Sequence, residues 1–253
     1  MKNYDFVWDR TADRIRKGYF LPVGPKMPGS FSGMDSEQLF KENLATQPED
    51  WFYRTRDIEY KLNRYGYRTV EFDTVDWANS VVIFGCSNVF GTGVHEEDTL
   101  SSQLSTLINM PVINMGIGAT SMEYALYNSI ILNDKYPTPK AVIHIWSSFN
   151  RTTYYDVKNI TNHGSWDVKV NGYMDMWSKE PSHALVHGLM CQMISKQTWI
   201  GKTKYYETSF FDDVVSKLQL PGLVWVDNAR DLSHPGRLTL GKLATQIKDS
   251  IEL

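Results

Sequence analysis

Val81-Val82-Ile83-Phe84-Gly85-Cys86-Ser87-Asn88 is the stretch on which the fold turns. From Ser80 to Phe84 the run is bulky and apolar, and it stops abruptly at small and polar residues. Such a run reads as a strand buried on both faces, the kind found in parallel sheets. Downstream, Asp98-Thr99 offers a cap for a helix through about Ile108, with Leu100, Leu104 and Leu107 on one face. Pro111-Val112-Ile113-Asn114 reads as a short second strand, and residues 121–132 as a second helix. Pro137 and Pro139 break the chain before a third buried strand, Ala141-Val142-Ile143-His144-Ile145-Trp146. Strand, helix, strand, helix, strand with short links predicts a parallel sheet with right-handed crossovers, in a three-layer α/β/α sandwich. The apolar run Leu223-Val224-Trp225-Val226 supplies a fourth strand, between a crossover helix at 210–220 and a terminal helix at 238–251.

Upstream the rhythm is absent. Residues 1–50 are broken by Pro22, Gly24, Pro25, Pro28 and Gly29 and read as an irregular arm, with a short helix at 36–44 started by Ser36. Ile58–Leu62 and Tyr67–Phe72 alternate about the turn Asn63-Arg64-Tyr65-Gly66, which predicts a β-hairpin. The expected organisation is therefore an arm and hairpin over 1–79, packed on a main domain over 80–253. Within that domain, residues 151–210 interrupt the alternation and are rich in Tyr and Trp, so the tract reads as an insertion beside the strand ends.

The totals narrow the function classes. A net charge of −3 with no run of Lys or Arg gives no footprint for nucleic acid or an anionic membrane surface. Cys86 and Cys191, the only cysteines, fit no disulfide framework and suit a reducing compartment. The opening residues carry acids where a signal peptide needs an apolar core, and no run of about 18 apolar residues follows, so a soluble protein is expected.

In open parallel sheets the chemistry collects beyond the strand C-termini. Four such ends are polar or small: Gly85-Cys86-Ser87, Asn114-Met115-Gly116-Ile117-Gly118, Ser147-Ser148-Phe149-Asn150, and Asp231-Leu232-Ser233-His234-Pro235-Gly236. The last places an acid and a histidine three residues apart in a loop. The carboxylate can take the Nδ1 proton and leave Nε2 as a base. Ser87, at a strand-to-helix turn, is the candidate nucleophile, although a serine there is by itself as readily a turn residue.

Taken together, the four segments resemble the blocks of the SGNH hydrolases, the GDSL esterases. Gly85-Cys86-Ser87 is similar to the first block, Gly-Asp-Ser, with Cys86 in place of the aspartate. Asn114–Gly118 resembles the second, Ser148-Phe149-Asn150 the third, and Asp231-Leu232-Ser233-His234 matches the Asp-x-x-His of the fifth. The resemblance implies a flavodoxin-like sheet and a serine esterase with a Ser87, His234, Asp231 triad. It implies an oxyanion hole from Ser87 and Gly118 N–H groups and the Asn150 side chain. The usual spacing puts a glycine where Ala119 stands, which leaves the donor open among Gly116, Gly118 and Ala119. No metal or organic cofactor is implied. Arg151 stands for the usual aspartate, and with Tyr154 and Tyr155 it is a candidate substrate contact. These residues and the aromatic insertion suggest an ester of acetyl or another short acyl group, on a small molecule or a glycan. An O-acyltransferase, and a carbohydrate-binding or structural module without turnover, are the alternatives.

Three other clusters have blander readings. His183, His187 and Cys191 share a helix face, but the first and last lie about 12 Å apart, too far for one ion. His95-Glu96-Glu97-Asp98 suits a solvated loop leading into a helix cap. Cys86 is reactive in principle as a thiolate, yet a continuing strand turns it from the face of Ser87.

Overall fold

The computed structural model describes residues 20–21, 29–155, 160–164 and 181–252, with the backbone alone for 154, 155, 160–163 and 181. In chain order the elements are α1 (Glu37–Thr46), β1 (Val81–Gly85), α2 (Ser87–Phe90), α3 (Leu100–Ile108), β2 (Val112–Gly116), α4 (Met122–Lys135) and β3 (Ala141–Trp146). Then follow β4 (Thr152–Tyr155), β5 (Ile160–His163), α5 (Pro181–Trp199), β6 (Lys204–Ser209), α6 (Asp212–Leu218) and α7 (Arg237–Ile251). Serine and threonine caps start three helices: Ser36, Thr99 and Ser121 accept from the backbone N–H of Leu39, Ser102 and Tyr124.

The central sheet is parallel, in the order β2-β1-β3-β6. Val81 pairs with both Val112 and Ala141, so the strands run in step and end at one edge. Alternate side chains of β1 serve opposite cores. Val82 and Phe84 pack with α4, α5 and α6 through residues such as Leu132, Trp199 and Val214. Val81 and Ile83 pack with α3 and α7 through Leu104, Leu240 and Ile247. This is the three-layer sandwich that the β1 stretch predicts.

Two expectations need correction. Residues 58–72 form no hairpin ladder. Tyr60 bridges Gly29 instead, its N–H donating to that carbonyl at 3.0 Å. Asn63 closes the turn with its side chain, Oδ1 accepting from Tyr65 and Tyr67 N–H groups at 3.0 Å. Both faces of the segment are used: Ile58 and Tyr60 enter one core cluster, Tyr67 and Phe72 the other. The alternation of buried Ile58 and Tyr60 with exposed Glu59 and Lys61 is real, but the backbone pairs with Gly29 and makes no ladder with residues 67–72.

The fourth strand is not at 223–226. Val224, Trp225 and Val226 are 63, 43 and 45% exposed. The Val226 and Asp227 N–H groups donate to Thr239 Oγ1 at 2.9 and 3.0 Å, with no sheet neighbour. The strand is Lys204–Ser209, at the end of the tract read as an insertion. From Tyr206 to Ser209 it is buried, and its polar groups are matched. Glu207 accepts from Trp146 Nε1 at 3.0 Å and Gln192 Nε2 at 2.6 Å, and pairs with Lys196 at 2.6 Å. A buried strand with satisfied polar groups leaves little hydrophobic signal in sequence.

Candidate active site

Ser87 opens α2 immediately after β1, beyond the extended residue Cys86. Two features seat this single turn tightly on the sheet. Asn114 on β2 donates from Nδ2 to the Val89 carbonyl at 2.9 Å and accepts the Gly116 N–H at 2.9 Å. Gly116 lets the turn approach, because a Cβ there would meet Phe90 N at 2.4 Å and the Val89 Cβ at 2.7 Å. Its N–H being engaged by Asn114, Gly116 is not free to serve an oxyanion. Of the glycines weighed in the second block, Gly118 is left, with Ala119 beside it.

The opposing loop is built from its ends inward. Asp227 accepts the Thr239 and Leu238 N–H groups at 2.8 and 3.1 Å and so caps α7. The Ala229 N–H donates to the His234 carbonyl, and that of Gly236 to the Asp227 carbonyl, each at 2.9 Å. Leu232, at φ 57°, turns the chain back on itself between them. Inside this closed loop, Asp231 Oδ1 accepts the Ser233 and His234 N–H groups at 3.1 Å each. Its Oδ2 lies 2.5 Å from His234 Nδ1, and His234 Nε2 lies 2.8 Å from Ser87 Oγ. All three side chains are buried, at 7% exposure for Ser87, 2% for Asp231 and 8% for His234.

Burial raises the Asp231 pKa, but the hydrogen bond and charge of His234 and the two N–H donors outweigh it, leaving the carboxyl below its ordinary value. An ionised Asp231 holds the imidazole proton on Nδ1, and Nε2 then accepts from the serine hydroxyl.

Ser87 and His234 face a cavity of about 490 Å³. Its other walls include Gly118, Ala119, Arg151, Phe90 and the stretch Ser32-Gly33-Met34. Arg151 stacks its guanidinium over Phe211 at 5.2 Å. Asn150 is exposed and does not line the cavity; its N–H donates to Ser148 Oγ at 3.2 Å. Tyr154 and Tyr155 lie on β4, with side chains outside the described residues, and Trp166, Tyr173 and Trp177 lie outside them altogether. Ala119 has φ 65°, in the left-handed region where a Cβ crowds the backbone. The strain accounts for a glycine at this place in the usual second block. Ala119→Gly is expected to stabilise the protein by about 1 kcal/mol, read as a raised midpoint in thermal unfolding.

The remaining candidates stay apart from this centre. Among the described residues no three His, Cys, Asp or Glu side chains are placed to hold a metal ion. The Cys191 thiol is buried and pushed up to about 12 by that burial, with the Glu123 charge adding to it. His95 is buried against Phe52 and Tyr53, with Nε2 3.2 Å from the Arg56 carbonyl, and acts in packing. Sequence reasoning missed the Ser32–Met34 wall and the buried Arg230, because the partners that define them are far away in the chain.

Together, the serine just after β1, the Asn114-Met115-Gly116 end of β2 and the Asp231–His234 loop before α7 are brought to one edge of the parallel sheet. No family model and no curated protein matches the chain. Among solved structures it is similar to a carbohydrate esterase family 2 enzyme of Corynascus thermopiles (Myceliophthora fergusii), at TM-score 0.43 and 11% identity, over 69% of this chain and 67% of that one. It is also similar to the acetyl xylan esterase Est2A of the rumen bacterium Butyrivibrio proteoclasticus, at TM-score 0.42 and 9% identity, over 70% of this chain and 64% of that one. A mutant acetyl-xylooligosaccharide esterase of Geobacillus is similar at TM-score 0.34 and 12% identity, over 71% and 96%.

Proposed function

We propose that the protein is a serine esterase. The observation that carries this reading is the unbroken line from Asp231 through His234 to Ser87 Oγ, at 2.5 and 2.8 Å, opening on a cavity. His234 Nε2 takes the serine proton as Oγ attacks the ester carbonyl, and Asp231 orients the imidazole and stabilises its charged form. The tetrahedral intermediate expels the alcohol, which leaves with the proton from Nε2. Water, deprotonated by the same nitrogen, then releases the acid and restores Ser87. The developing oxyanion is served by the N–H groups of Ser87 and Gly118. Asn150, exposed as it stands and next in sequence to Arg151 of the cavity wall, is the side-chain donor assigned in this reading. The substrate proposed is an acetyl or other short-chain ester, with a carbohydrate as its alcohol. Arg151 in the cavity wall supports an anionic or hydroxyl-rich alcohol.

The test is hydrolysis of p-nitrophenyl acetate and butyrate by the wild type and Ser87→Ala, alongside a fluorophosphonate probe. Turnover and labelling are expected in the wild type, and Ser87→Ala should lose labelling and at least about 10⁴-fold in kcat. Equal behaviour of the two proteins would remove Ser87 from the mechanism. Adding a competing alcohol separates hydrolysis from acyl transfer to an acceptor.

A further inference from the structure

Behind the Asp231 loop, three pieces of chain distant in sequence are tied together by buried polar groups. Arg230, the residue before Asp231, has a side chain 0% exposed, and its Nε and Nη2 donate to the two carboxylate oxygens of Asp35 at 2.8 and 2.7 Å. Nη2 also donates to the Ser30 carbonyl. The guanidinium packs against the neighbouring rings of Phe31 and Phe40, 4.6 and 4.8 Å from their centres. Asp35 is 1% exposed and takes a further hydrogen bond from Tyr60 Oη at 2.6 Å. That hydroxyl accepts the Gly93 N–H at 2.8 Å, and the Gly93 carbonyl accepts the Arg230 N–H at 2.9 Å. Asn43 Nδ2 donates to the Arg230 carbonyl at 2.9 Å.

Gly93 stands shortly after the turn that carries Ser87. On that side Arg68, likewise buried, donates to the Gly91 and Val94 carbonyls at 2.6 and 3.1 Å and stacks over Tyr60 at 4.7 Å. Tyr60 therefore stands between two buried arginines, one holding the nucleophile's loop and the other holding the base's loop. The closed circuit Gly93, Tyr60, Asp35, Arg230 and back to Gly93 fixes how far apart those loops sit.

We propose that Asp35, Tyr60 and Arg230 are positioning residues that set the spacing of His234 to Ser87, an inference that rests on the esterase reading above. Stability alone is a weak reason for this arrangement, since well-packed apolar groups generally do as well as a buried ion pair. What apolar groups lack is direction. A two-pronged guanidinium–carboxylate pair fixes orientation as well as distance. The same stretch of chain also supplies Ser32, Gly33 and Met34 to the cavity wall, so wall and base loop are held as one body.

The experiment uses Asp35→Asn and Tyr60→Phe in the full chain, each checked for a cooperative thermal transition. For p-nitrophenyl acetate, kcat and the fluorophosphonate labelling rate should fall roughly ten- to a hundredfold in Asp35→Asn and less in Tyr60→Phe, with KM within about twofold. The far-downfield proton resonance of His234 Nδ1–H should shift or broaden in both. Folded variants with wild-type kcat, labelling rate and resonance overturn the proposal. If Asp35→Asn does not fold, Tyr60→Phe, which loses only a hydroxyl, decides by the same readouts. A wild type that neither turns over nor labels refutes the esterase reading itself. In that case the His234 resonance decides the clamp alone: altered in the variants it stands, unaltered it falls.

Discussion

Asp231→Asn is expected to lower kcat for p-nitrophenyl esters by about 10⁴, with KM little changed. The two side chains have nearly the same shape, and Asn can still accept the Ser233 and His234 N–H groups that Asp231 Oδ1 takes at 3.1 Å. The chemistry at the other atom differs. An amide nitrogen in place of Oδ2 donates to His234 Nδ1, which drives the imidazole proton to Nε2. That nitrogen then faces Ser87 Oγ as a donor and has no lone pair to take the serine proton. The substitution also alters the response to acid. The Asp231 carboxyl lies below its ordinary value in the fold, so its contribution to stability is present at neutral pH. It is lost as pH falls below the unfolded carboxylate range and through the lowered folded value. Thermal midpoints measured from pH 7 to pH 3 should therefore fall less steeply in Asp231→Asn than in the wild type. A variant that keeps its kcat within tenfold of wild type would falsify the orienting role.

Arg230→Ala is expected to cost about 3–5 kcal/mol of folding stability, measured by urea unfolding. The loss is larger than the net worth of the pair, because Asp35 stays behind as a buried charge with Tyr60 as its remaining side-chain partner. Phe31 and Phe40 also lose the cation packed against their rings. A double replacement, Asp35→Leu with Arg230→Met, removes the stranded charge and should recover much of that loss. Urea curves for Arg230→Ala within about 1 kcal/mol of the wild type would mean the pair adds little.

The sheet was legible where its strands are apolar on both faces. β1 and β3 announce themselves as unbroken runs, and Thr99 and Ser121 mark the helices between them because a cap is a local bond to the next turn. The Asp231 and His234 pairing was legible for the same reason, since its partners are three residues apart. What escaped depends on distant residues. Lys204–Ser209 looks polar until Trp146, Gln192 and Lys196 are brought around Glu207. Leu223–Val226 looks like a strand until Thr239 takes its backbone donors. Arg230 looks like any surface arginine until Asp35, 195 residues earlier, is folded beneath it.

That dependence on distance bears on when the serine becomes reactive. Ser87 and His234 are separated by 147 residues, and the contacts that hold their loops reach across 195. A serine hydroxyl without its base is a poor nucleophile. On the esterase reading, a chain in which the sheet has formed but the Asp231 loop has not yet docked carries Ser87 without its base, and so in a poorly reactive form. On that reading, full reactivity of Ser87 requires both loops to be in place. A label on Ser87 would count fully folded chains, even in a preparation where most of the secondary structure is already in place.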